Sequence, residues 1–303
     1  MANHSYSHLI IVCCHAIYLG PDSADEANWL IEPFQTGETA TYVAHIEAGV
    51  RELAADPRAV LVFSGAATKP GRTRKSEGES YLDVAVECGL FGLETSPPML
   101  QPRLFVDRFA TDSYQNILCS IIQFPLFVRQ LLEKRVQPSS LVSSPSSTSG
   151  STLISSNLNT TTTTTAANTV TPLFPTKLTI VSHEFKRSRF LDLHLPAMHW
   201  AGETRFIGIN PPFDRVKMAE IETGDRLRGY GAWEKDLYGA GELLAAKRKV
   251  RGWDEEQFRR EVLDHLPSVE CKMQIENLLS WNGGACGTIR YPDQMLWCPN
   301  PGS

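Results

Sequence analysis

Apolar residues along the chain fall into two patterns. Short, unbroken runs of β-forming residues occupy 9–13 (LIIVC), 58–64 (RAVLVFS), 103–108 (RLFVDR), 177–182 (KLTIVS) and 205–209 (RFIGI). Runs of this length between turn residues are how buried strands look. Between them the spacing is helical. Val43, Ile46, Val50 and Leu53 recur on one face, and Asp56-Pro57 closes the segment. Ser76-Glu77 opens a second helix with Leu82, Ala85 and Val86 on one face and Gly89 as its stop. Asp112-Ser113 caps a third that buries Ile117, Ile121 and Ile122. Pro125 is expected to end or kink it, with 127–134 as a second piece. Strands alternating with helices predict an α/β domain over 1–222, with a mainly parallel sheet of about five strands. Residues 223–303 predict a helical, irregular extension packed on it. Its helices are at 239–249 (Leu243 and Leu244 inward), 255–266 and 273–279, and Trp281 and Trp297 pack the tail back.

Composition changes this picture at one place. Residues 138–172 are dominated by Ser, Thr, Asn and Pro and include an unbroken threonine run at 160–165. Such a segment buries too little apolar surface to offset the entropy of ordering it, so it reads as a disordered loop insertion. A net charge of -5 argues against general nucleic-acid binding. No stretch approaches the roughly 18 apolar residues that span a bilayer, so no membrane insertion is expected. The start lacks a basic leader and reads as a first strand. Seven cysteines with no C-x-x-C pair fit a reducing compartment, with the cytoplasm as the default. Oligomeric state is left open.

Ligands of open parallel sheets bind outside the carboxyl ends of the strands. Four polar loops fall there: Cys14-His15-Ala16, Ser64-Gly65-Ala66, residues 112–116 and residues 182–189. The last, SHEFKRSR, places cations just past a strand end, as sites for anions do. Each residue also has a plain reading. Arg187 and Arg189 fit a solvated helix face, His15 a structural imidazole, Gly65 a turn, and Glu77 the dipole of its helix. Ser113 and Asn116 lie three apart on one helical face, and capping accounts for only one of them. Familiar dinucleotide, P-loop, zinc-protease and nucleophile-elbow motifs are missing. His194 and His199 lack a carboxylate at ligand spacing apart from Asp192, so they read as core or surface histidines.

The ordered set SG (64–65), SEG (76–78), DSYQN (112–116) and SHEFKRSRF (182–190) resembles the YdcF/SanA/ElyC family. That resemblance, over residues 9–210 without the insertion, implies a Rossmann-like three-layer α/β/α fold of largely unknown function. CHAIYLG (14–20) and DLYGAGELLAAKRKVRG (236–252) look like a fungal-type branch of it. The chain departs from the family in three ways. Cys13-Cys14-His15 replaces a glycine-rich first loop, and Ser113 stands where Thr is usual. The spacing from Ser182 to Arg187 is one residue shorter, which puts the family's histidine near Phe185-Lys186, with His183 as an approximate stand-in.

The expected function is a pocket for a phosphorylated or nucleotide-like small molecule. Arg187 and Arg189 hold the anion, and Gly65 admits backbone approach. Ser64, Ser113, Asn116, Ser182 and His183 orient the ligand, and Glu77 or His15 serves as acid–base for hydrolysis or transfer at a phosphate ester. The alternative is a non-catalytic protein that binds a nucleotide or an S-adenosylmethionine-like cofactor, or acts as a scaffold. No particular cofactor is implied.

Overall fold

The computed structural model describes residues 6–95, 98–136 and 173–298. Five strands form one sheet: β1 (His8–Cys13), β2 (Ala59–Ser64), β3 (Leu104–Asp107), β4 (Lys177–Ser182) and β5 (Glu203–Gly208). All neighbours are parallel, in the order β3-β2-β1-β4-β5. β1 and β2 are buried at every position, which is why both read as unbroken apolar runs rather than alternating ones.

Alternate side chains of each strand feed two cores. Ile10, Val12, Leu61 and Phe63 pack against α1 (Thr39–Ala55) and α2 (Glu77–Glu87). Leu9, Ile11, Val60 and Val62 pack against α3 (Ser113–Val136) and against the chain beyond β5. This is the three-layer Rossmann-like arrangement. α1 approaches the sheet closely at Gly49, where a Cβ would collide with the Val12 side chain.

The structure corrects three expectations. α3 runs unbroken through Pro125, so residues 127–134 are not a separate piece. The N–H that proline lacks and its ring clash cost a helix roughly 3 kcal/mol, which burial of Ile121, Ile122, Phe124, Phe127 and Leu131 outweighs. The boundary drawn at 222/223 lies inside one helical run, α4 (Arg215–Asp225), which continues through a π-helical turn (Arg226–Tyr230) to Trp233. Leu243 is exposed, and only Leu244 of that pair turns inward.

The extension carries α5 (Glu242–Val250), α6 (Glu255–Glu261) and α7 (Val269–Leu279). Trp233, Leu244, Phe258, Ile275 and Trp297 join the α3 side of the core, so the extension and the sheet share one apolar interior. Trp297 is pinned by its Nε1–H, which donates to the Met198 carbonyl at 2.8 Å. The insertion expected at 138–172 lies outside the described residues. Among the described residues, no helix is long and apolar enough to cross a membrane.

Candidate anion site at the switch point

The strand order reverses between β1 and β4, the place where ligands of doubly wound sheets bind. A cleft of about 380 Å³ opens there. Its floor is made by the residues after β1 (Cys13, Cys14, His15), the start of α2 (Glu77), the start of α3 (Ser113, Asn116) and the segment after β4 (Lys186, Arg189). Its far wall comes from the extension, through Arg228, Trp233, Lys247, Arg248 and Arg251. The extension is thus part of the site.

Ten residues were expected at the site, and the structure sorts them into two groups. His15, Glu77, Ser113, Asn116 and Arg189 line the cleft. Ser64, Gly65, Ser182, His183 and Arg187 do not.

Ser64 is fully buried beneath the floor. Its hydroxyl donates to Asp107 Oδ2 at 2.7 Å and accepts from Asn116 Nδ2 at 2.9 Å. Asp107 Oδ1 accepts from the Phe109 amide and from Gln123 Nε2. Ser64 therefore helps hold Asn116 in place. Both Asn116 amide hydrogens go to Ser64, which leaves the carbonyl oxygen as what Asn116 offers a ligand. Gly65 serves packing rather than ligand approach, since a Cβ there would meet Glu77 Cβ at 2.8 Å and Cys14 Cβ at 2.9 Å.

Arg187 is turned away from the cleft. Residues 184–186 form a 3-10 turn, which sets Arg187 against Glu184 (2.5 Å) and over the Phe206 ring. The neighbouring Lys186 takes the place expected of it. Its ammonium lies 3.4 Å from His15 Nδ1. Burial, reinforced by the Arg189 guanidinium, lowers its pKa from 10.5 to about 8.

His15 is held neutral, first by burial and then by Lys186. An ammonium can only donate, so Nδ1 of His15 accepts and its proton sits on Nε2, facing Ser182 Oγ at 3.4 Å. Behind it stack His183 (ring centroids 4.4 Å apart) and, edge-on to His183, His45 (4.9 Å). His183 is buried, and its nitrogens make no hydrogen bond, with Glu38 at 3.5 Å from Nε2. It backs the site without facing it. Among the described residues, no group of His, Cys, Asp and Glu has the geometry to hold a metal ion.

Glu77 is the second residue of a capping box formed by Ser76 and Glu79. Burial raises the pKa of its carboxyl, while Thr68 Oγ1 donates to it at 2.5 Å. A carboxyl raised in this way is the usual form of a general acid.

Ser113 opens α3, whose amides Asp112 caps by accepting from the Gln115 N–H at 2.9 Å. The Ser113 hydroxyl lies 2.8 Å from His194 Nε2 and accepts from Arg189 Nη1 at 3.4 Å. A serine in contact with a histidine invites a nucleophile–base reading. Yet His194 is fully buried, and burial together with Arg189 and Arg248 drives its pKa well down. Forming an imidazolium between two guanidiniums is unfavourable, so His194 orients Ser113 rather than deprotonating it.

The charge of the cleft is its main feature. Seven cationic side chains line it against three carboxylates, Glu32, Glu77 and Asp112. Lys69 pairs with Glu32, Arg189 with Asp225, and Arg248 with Asp112. Among the described residues no carboxylate lies within ion-pair distance of the other four: Lys186, Arg228, Lys247 or Arg251. Burial and the neighbouring Arg251, Arg189 and Arg228 lower the pKa of Lys247, so these cations feel one another. Deep in the cleft wall, Arg189 Nε and Arg248 Nη2 are buried donors with no acceptor.

Sequence reading missed Lys186 and every cation of the extension. The signal was present as KRKVR at 247–251, but a basic run on a helix is indistinguishable from a solvated face until the fold brings it to the sheet.

A scan of family models finds none that matches this chain, and neither the curated proteins nor the solved structures show a match.

Proposed function

We propose that this protein binds a phosphorylated or nucleotide-like small molecule in the cleft between the β1 and β4 ends. The observation that carries the reading is the concentration of four cations without carboxylate partners in one cleft, in a chain whose net charge is -5. Crowding like charges is unfavourable, and an anionic ligand relieves it. The cleft volume suits one small ligand. Lys186, Arg189 and the start of α3 bind the anionic group, Ser113 orients it, and the Asn116 carbonyl oxygen accepts from a donor elsewhere on the ligand.

Catalysis at a phosphate ester is the second reading, favoured by the raised carboxyl of Glu77 in the same cleft as the neutral imidazole of His15. Glu77 then protonates the leaving oxygen while water or an acceptor hydroxyl forms the new bond to phosphorus and releases its own proton to solvent. Without turnover, the same cleft serves as a nucleotide or S-adenosylmethionine-like cofactor site. Membership of the YdcF/SanA/ElyC family, in a fungal-type branch, is part of the proposal. It is supported by the motif residues Glu77, Ser113 and Asn116 meeting at one cleft. Free thiols at Cys13, Cys14 and Cys119 support a reducing compartment such as the cytoplasm.

The test is a thermal-shift series of nucleotides, phosphosugars and isoprenoid phosphates against the wild type, Lys186→Gln and Arg187→Ala. A ligand should stabilise the wild type and Arg187→Ala alike and Lys186→Gln much less. Equal stabilisation of all three proteins refutes the site, and turnover of the stabilising ligand separates the catalytic reading from the binding one.

A further inference from the structure

The unpaired cations arrive from two parts of the chain. Lys186 belongs to the segment after β4, beside Arg189 and Ser113 on the floor of the cleft. Arg228 comes from the π-helical turn after α4, Lys247 from α5 and Arg251 from just beyond it. The two sets form one electrostatic group, because Lys247 responds to Arg189 as well as to Arg228 and Arg251. Together they present four positive charges with no carboxylate partner among the described residues.

One phosphoryl monoester brings only about −1.5 to −2 charges, which leaves about two of the four unpaired cations unmatched. A second phosphoryl group, condensed onto the first, brings the total to about −3 or more and reaches the balance the cleft presents. Two further observations agree. Arg189 Nε and Arg248 Nη2 are N–H donors buried with no acceptor at the junction of floor and wall. The rim carries Phe34, a 74% exposed aromatic ring that lines the cleft, next to the Lys69–Glu32 pair.

We propose that the ligand carries two or more condensed phosphoryl groups, one on the Lys186–Arg189–Ser113 floor and the next against Arg228, Lys247 and Arg251 of the extension. This rests on the anion-site reading above and sharpens it. The shared chemistry is the diphosphate. A nucleoside diphosphate and an isoprenyl diphosphate both carry it, and Phe34 is placed to stack on the base of the former.

The test is calorimetric titration of the full chain with inorganic phosphate, pyrophosphate and tripolyphosphate at low and physiological salt. It uses the wild type and an Arg228→Gln/Lys247→Gln double variant, both of whose positions lie on the extension away from the sheet core. Pyrophosphate should bind the wild type about tenfold or more tighter than phosphate, and the double variant should bring that ratio below about threefold. Equal affinity for phosphate and pyrophosphate overturns the inference while leaving a single-anion site standing. A pyrophosphate advantage that the double variant keeps in full also overturns it, since the gain then comes from general surface attraction. No binding of any of the three at low salt, where screening is weakest, overturns the anion site itself. A nucleoside diphosphate and an isoprenyl diphosphate run in parallel identify the remaining moiety. Tightening by the nucleoside that Phe34→Ala abolishes assigns a base to the rim.

Discussion

Lys186→Gln tests the site in the absence of any known ligand, because the lysine should oppose folding while favouring binding. Its ammonium faces Arg189 and the neutral His15, with Asp225 and Glu38 acting only at a distance. Burial and Arg189 together bring its pKa from 10.5 to about 8. The sign follows from proton counting. Between about 8 and 10.5 the unfolded chain keeps the lysine proton that the folded chain has lost, so stability rises with pH in that window. Below pH 8 both states are charged and the folded protein bears the full penalty, about 3 kcal/mol at 1.36 kcal/mol per pH unit. Lys186→Gln should therefore be more stable than the wild type by up to about 3 kcal/mol at pH 7, with the gap closing towards pH 10.5.

Binding should move the other way. The ratio of wild-type to variant affinity for inorganic phosphate should fall about tenfold between pH 7 and pH 9, because the wild type loses its cation and the variant has none to lose. Taking the ratio cancels the titration of the phosphate itself. Urea denaturation at a series of pH values reads the first effect and calorimetry the second. A variant that is no more stable than the wild type at pH 7, with a gap that does not change with pH, refutes the picture of a half-buried ammonium without a carboxylate partner.

Two further outcomes follow from the floor of the site. Asp107→Ala leaves three buried donors, Ser64 Oγ, Gln123 Nε2 and the Phe109 amide, without their acceptor and should lower the unfolding free energy by about 3 kcal/mol or more. A loss under about 1 kcal/mol in urea denaturation would show that this network does not hold the floor. Ser113→Ala should weaken ligand binding about tenfold, whereas His194→Gln should leave the pH profile of binding unchanged between about pH 5.5 and 7.5, since a permanently neutral imidazole has no titration to lose. Loss of a limb near pH 6.5 in His194→Gln would reinstate His194 as a proton acceptor.

The centre of the sheet was legible because β1 and β2 are buried on both faces and therefore read as continuous apolar runs between helical ones. α4 was not legible. It buries no side chain along Arg215–Asp225 and so carries no apolar stripe to detect. Pro125 misled for the opposite reason, since the local rule against proline is overridden by a helix whose neighbouring residues are buried. At the site, the loops that converge were foreseeable from strand order, and five of the ten expected residues line the cleft. The choice of Arg187 over Lys186 failed on a single 3-10 turn, a feature of backbone geometry that residue spacing does not encode. The wall of the cleft was illegible in principle, because its cations, from Arg228 to Arg251, follow β4 in sequence and reach the cleft only if the extension folds back, and that depends on the buried Trp233 and Leu244.

The position of α3 has an architectural consequence. The helix starts at the cleft with Ser113 and runs 24 residues, about 36 Å at 1.5 Å per residue, to Val136. β4 then begins at Lys177, on the sheet edge opposite the cleft, because all five strands are parallel. The two points where the described chain stops and resumes between these elements, Val136 and Leu173, are thus anchored at the far pole of the domain from the ligand. A label attached at either point therefore starts from the pole away from the cations. Val136 and Leu173 thus offer a fluorophore or an affinity tag an attachment point at the opposite pole from the ligand in every binding experiment described above.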